Sequence, residues 1–174
     1  MRQREFGAIY DEHVWRVYGF FAYRLRSRQD AEDLTQLTFE RALRAWRTYD
    51  EQRAGAGTWL IAIARNLLID DMRARSARVQ SVPGEPYLEA LPASPDEHRI
   101  GLDPDLEGAL STLNSREREL VALRFGGDLT GREISELTGL TLANVQQILS
   151  RALRRMRADL NGSELEHAVI SEHG

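Results

Sequence analysis

All five prolines of this 174-residue chain, Pro83, Pro86, Pro92, Pro95 and Pro104, fall in one short window. Proline has no amide hydrogen to donate and drives the preceding residue out of the helical region, so no helix runs through such a window. On both sides of it apolar residues recur at helical spacing, with no strand-like alternation and no internal repeat. The sequence therefore predicts an all-α chain. Two small helical domains, 1–79 and 105–160, are joined by a proline-rich acidic linker at 80–104 and followed by a polar, flexible tail at 161–174.

Within the first domain one helix is expected from about Gln3 to Arg26, with Phe6, Ile9, Tyr10, Val14, Val17, Tyr18 and Phe21 on its apolar side. A second is expected to start at Asp30 as N-cap. Its apolar stripe is Thr35, Phe39, Ala42, Leu43 and Trp46, and its polar stripe is Asp33, Gln36, Glu40, Arg44 and Arg47. A third, with Thr58 as its expected cap, turns Leu60, Ile63, Ala64, Leu67 and Leu68 to a core. Arg65, Asn66, Asp70 and Arg73 lie on its other side.

The second domain opens with a helix marked by Leu106, Ala109, Leu110 and Leu113. Asn114 with Glu117, and Thr130 with Glu133, have the spacing of capping boxes, so two more helix starts are fixed. The stretch from Thr130 to Arg157 reads as a helix-turn-helix. Ser135 is the small residue at the crossing, Gly139 the turn, and Val145 and Ile148 the anchors of the second helix. At about 100° per residue, Leu142, Val145, Leu149, Ala152 and Met156 form a buried arc. Gln147, Arg151 and Arg154 face the opposite way, flanked by Asn144 and Ser150. Amides read adenine bidentately, and guanidinium groups read guanine or hold phosphate, so this face suits DNA.

A DNA-reading helix sits oddly with a net charge of −4, from 23 basic residues, all arginine, against 27 acidic ones. The distribution resolves this. Residues 1–80 carry 14 arginines against 11 acids, and 105–160 carry 8 against 8. The acidity is concentrated at 81–104, with 1 arginine against 5 acids, and in the last 14 residues, with 3 acids and no arginine. The reading surfaces can thus be locally basic, as phosphate attraction requires. There is no cysteine, hence no disulfide framework and no thiolate metal site. No glycine-rich phosphate loop, nucleophile elbow or paired acids point to an enzyme, and no cofactor or metal is expected. With no apolar run of membrane-spanning length and no signal-like N-terminus, no membrane insertion is expected, and a cytoplasmic location is. From these residues alone, a stand-alone helix-turn-helix transcriptional regulator is an alternative reading.

Three segments in order, DAEDLTQLTFERALRAW (30–46), TWLIAIARNLLIDDMRARSAR (58–78) and LNSRERELVALRF (113–125) with the helix-turn-helix behind it, resemble a bacterial sigma factor of the extracytoplasmic-function type. The resemblance covers about Phe6 to Leu160. It implies a factor that binds core RNA polymerase and directs initiation at promoters, with an anti-sigma factor as a regulatory partner. It implies that Asp30, Asp33, Gln36, Leu37 and Glu40 dock on the polymerase clamp. Arg53, Trp59, Arg65, Asn66, Arg73 and Arg75 are then expected at the −10 element, which the first domain melts. Asn144, Gln146, Gln147, Ser150, Arg151 and Arg154 are expected at the −35 element. Leu37 stands where the family commonly carries an acid, and Gln146 and Ile148 where it often carries lysine and arginine.

Overall fold

The computed structural model describes residues 2–80 and 102–171, which form seven α-helices with no strand among them. The first unit consists of α1 (Arg2–Arg24), α2 (Arg28–Ala45), a single 3-10 turn (Trp46–Thr48) and α3 (Ala56–Gln80). The second consists of α4 (Pro104–Ser111), α5 (Ser115–Val121), a π turn (Ala122–Gly126), α6 (Gly131–Thr138) and α7 (Leu142–Ser171). Residues 81–101, with Pro83, Pro86, Pro92 and Pro95, lie outside the described residues; Pro104 opens α4, where its fixed φ is already helical and its missing N–H would have had no partner.

Local chemistry sets the helix ends. Both capping boxes form: Asn114 Oδ1 accepts from the Glu117 N–H at 2.9 Å, and Thr130 Oγ1 from the Glu133 N–H at 3.3 Å, each glutamate answering the cap's own N–H. The start of α2 differs from expectation. Its N-cap is Ser27, whose hydroxyl accepts from the Asp30 N–H at 3.2 Å, while the Asp30 carboxylate takes Arg75 at 3.0 Å. The start of α3 differs too: the helix begins at Ala56, and the Thr58 hydroxyl bonds Glu133 instead of capping. At the other end, α7 continues to Ser171, past Asn161 where a polar tail was expected. Between Ser163 and Ser171 the chain has no proline and favours Glu, Leu and Ala, so the helix has no local reason to stop at Gly162.

Along α2, Ala31, Leu34, Thr35, Thr38, Phe39 and Ala42 are buried at helical spacing. The two threonine hydroxyls would be costly there unpaired; each donates to the carbonyl four residues back, at 2.7 Å. Leu43, expected in that stripe, is instead 46% exposed, because Phe39 and Ala42 already fill the space towards α1 and α3. On α7 the buried positions are Val145, Ala152 and Met156. Leu142 at the helix start is 43% exposed, with only its Cδ1 end close to Gly131 of α6.

The two units do not stand apart. Phe20, Phe21, Leu60 and Ile61 of the first share one continuous core with Leu120, Leu123, Leu129 and Ile134 of the second, all fully buried. Burial of each such side chain is worth about 1.5–3 kcal/mol, so this is a substantial interface. A smaller core, Ala109, Leu110, Leu113, Val121, Ala152 and Met156, holds α4, α5 and α7 together. Glu117, buried between them, is neutralised by Arg155 at 2.7 Å.

Candidate polymerase and nucleic-acid interfaces

On α2 the positions that are not buried form one outward face. Asp33, Gln36 and Glu40 are exposed along it, with Leu37 at 36% beside them. Gln29 Nε2 donates to Asp33 at 3.0 Å and Gln36 Nε2 to Glu40 at 3.1 Å, so each carboxylate is held by the glutamine four residues before it and the two lie about two turns apart. Asp30 is half-buried and committed to Arg75, which separates it from that face. Next to it α1 and α2 leave an apolar groove containing Tyr10, Phe39 and Leu43, with Trp15 77% exposed at its edge. Sequence reasoning did not single out Trp15; its position opposite Val17 and Phe21 on the α1 wheel was the available signal.

The residues expected at the −10 element are divided by the fold. Arg53, Asn66 and Arg73 are exposed. Trp59 is half-buried in an aromatic stack, 4.8 Å from the Tyr49 ring and 6.1 Å from Trp46. The Tyr49 hydroxyl closes the 49–55 loop by donating to the Ala54 carbonyl at 3.1 Å. Arg65 pairs with Glu119 of α5 at 2.8 Å, with both side chains mostly buried. Arg75 bonds Asp71 at 2.7 Å as well as Asp30, and those hydrogen bonds raise its pKa further. Asn66 instead lines a shallow cleft with Arg41, Arg44 and Thr48, two of them arginines the sequence reading had not assigned to DNA.

In the second unit the helix-turn-helix is built as the sequence indicates. Ser135 Oγ donates to the Leu140 carbonyl at 2.6 Å across the turn, and Gly139 sits at φ 74°, a conformation costly for any residue with a Cβ. Thr141 Oγ1 accepts from the Asn144 N–H at 3.2 Å and opens α7. Asn144, Gln146, Gln147, Ser150, Arg151 and Arg154 are all exposed. At about 100° per residue they fall within roughly 160° of arc, so one face carries the whole set.

Two family models match the chain, Sigma-70 region 2 over residues 9–78 and Sigma-70 region 4 over residues 109–158. The ECF RNA polymerase sigma factor BldN of Streptomyces coelicolor is 34% identical over 155 residues, 87% of this chain and 58% of that protein. The ECF RNA polymerase sigma factor SigM of Bacillus subtilis is 31% identical over 156 residues, 88% of this chain and 93% of that protein. The chain thus spans little more than half of the first relative and nearly all of the second. In fold it is similar to the sigma factor RpoE solved in complex with the anti-sigma factor NepR from Bartonella quintana, with a TM-score of 0.69, 23% identity and coverage of 91% of this chain and 96% of that one.

Proposed function

We infer that this chain, which belongs to the extracytoplasmic-function (ECF) family of RNA polymerase sigma factors, binds core polymerase through α2 and selects promoters with two separate surfaces. The exposed row Asp33, Gln36 and Glu40, with Leu37 beside it, is the clamp-docking face. The 49–55 loop, Trp59, Asn66 and Arg73 meet the −10 strand as it is melted, and Arg65 joins them when released from Glu119. The outward arc of α7 enters the major groove at −35. An anti-sigma factor is a partner of the same chain, and the work is done in the cytoplasm, by binding and not by turnover.

The observation that carries this reading is the helix-turn-helix with six polar residues on one exposed face of α7, preceded by a helical unit that carries a polar docking row. Replacing Asp33 and Gln36 together by alanine tests it. Both are exposed and make only surface hydrogen bonds, so the helical circular dichroism is expected to stay unchanged while core-polymerase affinity falls. Unchanged affinity removes α2 from the docking assignment.

A further inference from the structure

A loop that must be ordered around its ligand gives up part of the affinity it gains, so a loop that is already shaped binds better and selects more sharply. The 49–55 loop, between the 3-10 turn and α3, has little of its own to shape it: Ala54 and Gly55 carry almost no side chain, and Glu51, Gln52 and Arg53 are exposed at its tip. The fold supplies the ties. Asp50 Oδ1 accepts from the Gln52 N–H at 3.0 Å, and the Asp50 carbonyl accepts from the Arg53 N–H at 3.2 Å. Where α3 begins, the Gly55 carbonyl accepts from the Trp59 N–H at 3.0 Å.

The tie that spans the loop comes from Tyr49, whose hydroxyl donates to the Ala54 carbonyl at 3.1 Å. The ring that carries this hydroxyl is itself held. It lies nearly parallel to the Trp46 ring, at 12° and 5.0 Å between centroids, with the Trp59 ring 4.8 Å away. Trp46 in turn meets the buried Phe6 edge-on at 5.4 Å. Aromatic pairs of this kind add stabilisation beyond their burial, and each ring has only two side-chain torsions to fix. The place of the Ala54 carbonyl is therefore set, through two rings, by the core of the first unit. Burial, then the neighbouring Glu51 and Asp50 charges, raises the Tyr49 pKa above its ordinary 10, so the hydroxyl stays a donor at neutral pH.

We propose that Tyr49 is a positioning residue for base selection at the −10 element: its hydroxyl, held by the Trp46 stack and aided by the Asp50 turn, fixes the loop so that Gln52 and Arg53 meet the melted strand in one preset arrangement. An amide and a guanidinium both read base edges through paired hydrogen bonds, which tolerate little misplacement. With the loop fixed, a wrong base leaves these groups unpaired; with the Tyr49 bond gone, the loop adjusts to the wrong base and the preference narrows. Tyr49 acts through the loop and not by contact with the base. This rests on the sigma-factor reading and adds to it the device that sets the loop's selectivity.

The test uses holoenzyme assembled with the full chain. Its probes are single-stranded oligonucleotides carrying the −10 sequence of a promoter that the chain serves in run-off transcription, with each base changed in turn. Tyr49→Phe keeps the ring and removes the hydroxyl. Asp50→Ala, at an exposed position, frees the Gln52 N–H, and Asp50→Asn keeps an acceptor there as the conservative control. The wild type is expected to prefer one base at one position. Tyr49→Phe should lower that preference about 5-fold, the scale of one intramolecular hydrogen bond. Asp50→Ala should lower it as well, and Asp50→Asn should keep it. Affinity for core polymerase, preference at −35 and helical circular dichroism should stay unchanged in all three. A full wild-type preference in Tyr49→Phe, or an equal loss on every oligonucleotide, overturns the proposal and leaves the sigma-factor reading standing. Should Tyr49→Phe lose helical content, the Asp50 pair decides, and equal preferences in Asp50→Ala and Asp50→Asn overturn the proposal. Failure of the reading itself shows differently, as a wild type that yields no transcript or binds every oligonucleotide alike, and the proposal falls with it.

Discussion

At the scale of single residues, position on α7 separates two kinds of contact. Gln147 lies near the helix N-terminus, the end that enters the groove in this motif, and its amide can read a base edge. Gln147→Ala should cost about 1–3 kcal/mol on the preferred −35 sequence and blur the preference at one base pair. Arg154 lies two turns further on and is exposed, its Nε within 3.4 Å of the Ser150 carbonyl. Arg154→Ala should weaken all promoters alike and lower the salt slope by about one unit. Holoenzyme binding to single-base −35 variants at several salt concentrations distinguishes the two. A uniform loss for Gln147→Ala and a changed base preference for Arg154→Ala would mean that the reading face is rotated.

The element scale shows what a sequence can say about a helix. Both capping boxes and the glycine turn were legible because each is a pattern of a few adjacent residues whose partners are each other. Asp30 and Thr58 were misread as caps for the opposite reason: their partners, Arg75 and Glu133, are far away in sequence, and no local pattern announces them. Leu43 and Leu142 carry the right spacing for burial but stay largely exposed, because spacing alone does not say how fully a neighbouring element covers a position. The turn can be tested on its own. Gly139→Ala should cost about 1–2 kcal/mol of stability from the left-handed backbone alone, because a Cβ there meets open space. Val145→Ala should cost about 2 kcal/mol, since that side chain is fully buried. Leu149 touches both cores but keeps part of its surface in water, so Leu149→Ala belongs at the low end of core truncations, about 2 kcal/mol, and not at the level that unfolds the unit. Urea midpoints of the three variants check the order; a neutral Gly139→Ala would contradict the turn's role.

For the whole molecule, the two units and the sigma-like order of segments were visible in the sequence, while their shared core was not. Periodicity marks Leu120, Leu123 and Ile61 as apolar without saying what covers them, and Gly19 and Gly126, 107 positions apart, give no sign that their backbones meet, as they do where a Cβ on Gly19 would lie 2.8 Å from the Gly126 carbonyl oxygen. The junction should respond to acid. Burial alone would raise the pKa of Glu119, but the Arg116 hydrogen bond and the Arg65 charge outweigh it and hold the carboxyl below the ordinary 4.5. Glu133 is held low in the same direction, burial being outweighed by its bonds to Thr58 and Thr130 and by the Arg16 charge. A depressed folded-state value means that these carboxylates stabilise the folded chain above pH 4.5 and lose that contribution as pH falls through their lower, folded values. Arg118, which donates to the Tyr23 carbonyl at 2.9 Å, is pulled down to about 10 by burial and by Arg24 and Arg26, and so stays charged throughout this range. Urea unfolding followed by circular dichroism at a series of pH values should therefore show stability lost below pH 4.5 in the wild type and a weaker loss in Glu119→Gln; identical pH dependences would contradict the role given to Glu119. The central claim, that the chain gives core polymerase its promoters, is tested most directly by run-off transcription with purified core enzyme on fragments of the source genome. Discrete transcripts that require the chain, and that disappear with the Asp33→Ala, Gln36→Ala double variant, are the predicted result; the same products with and without the chain would contradict it.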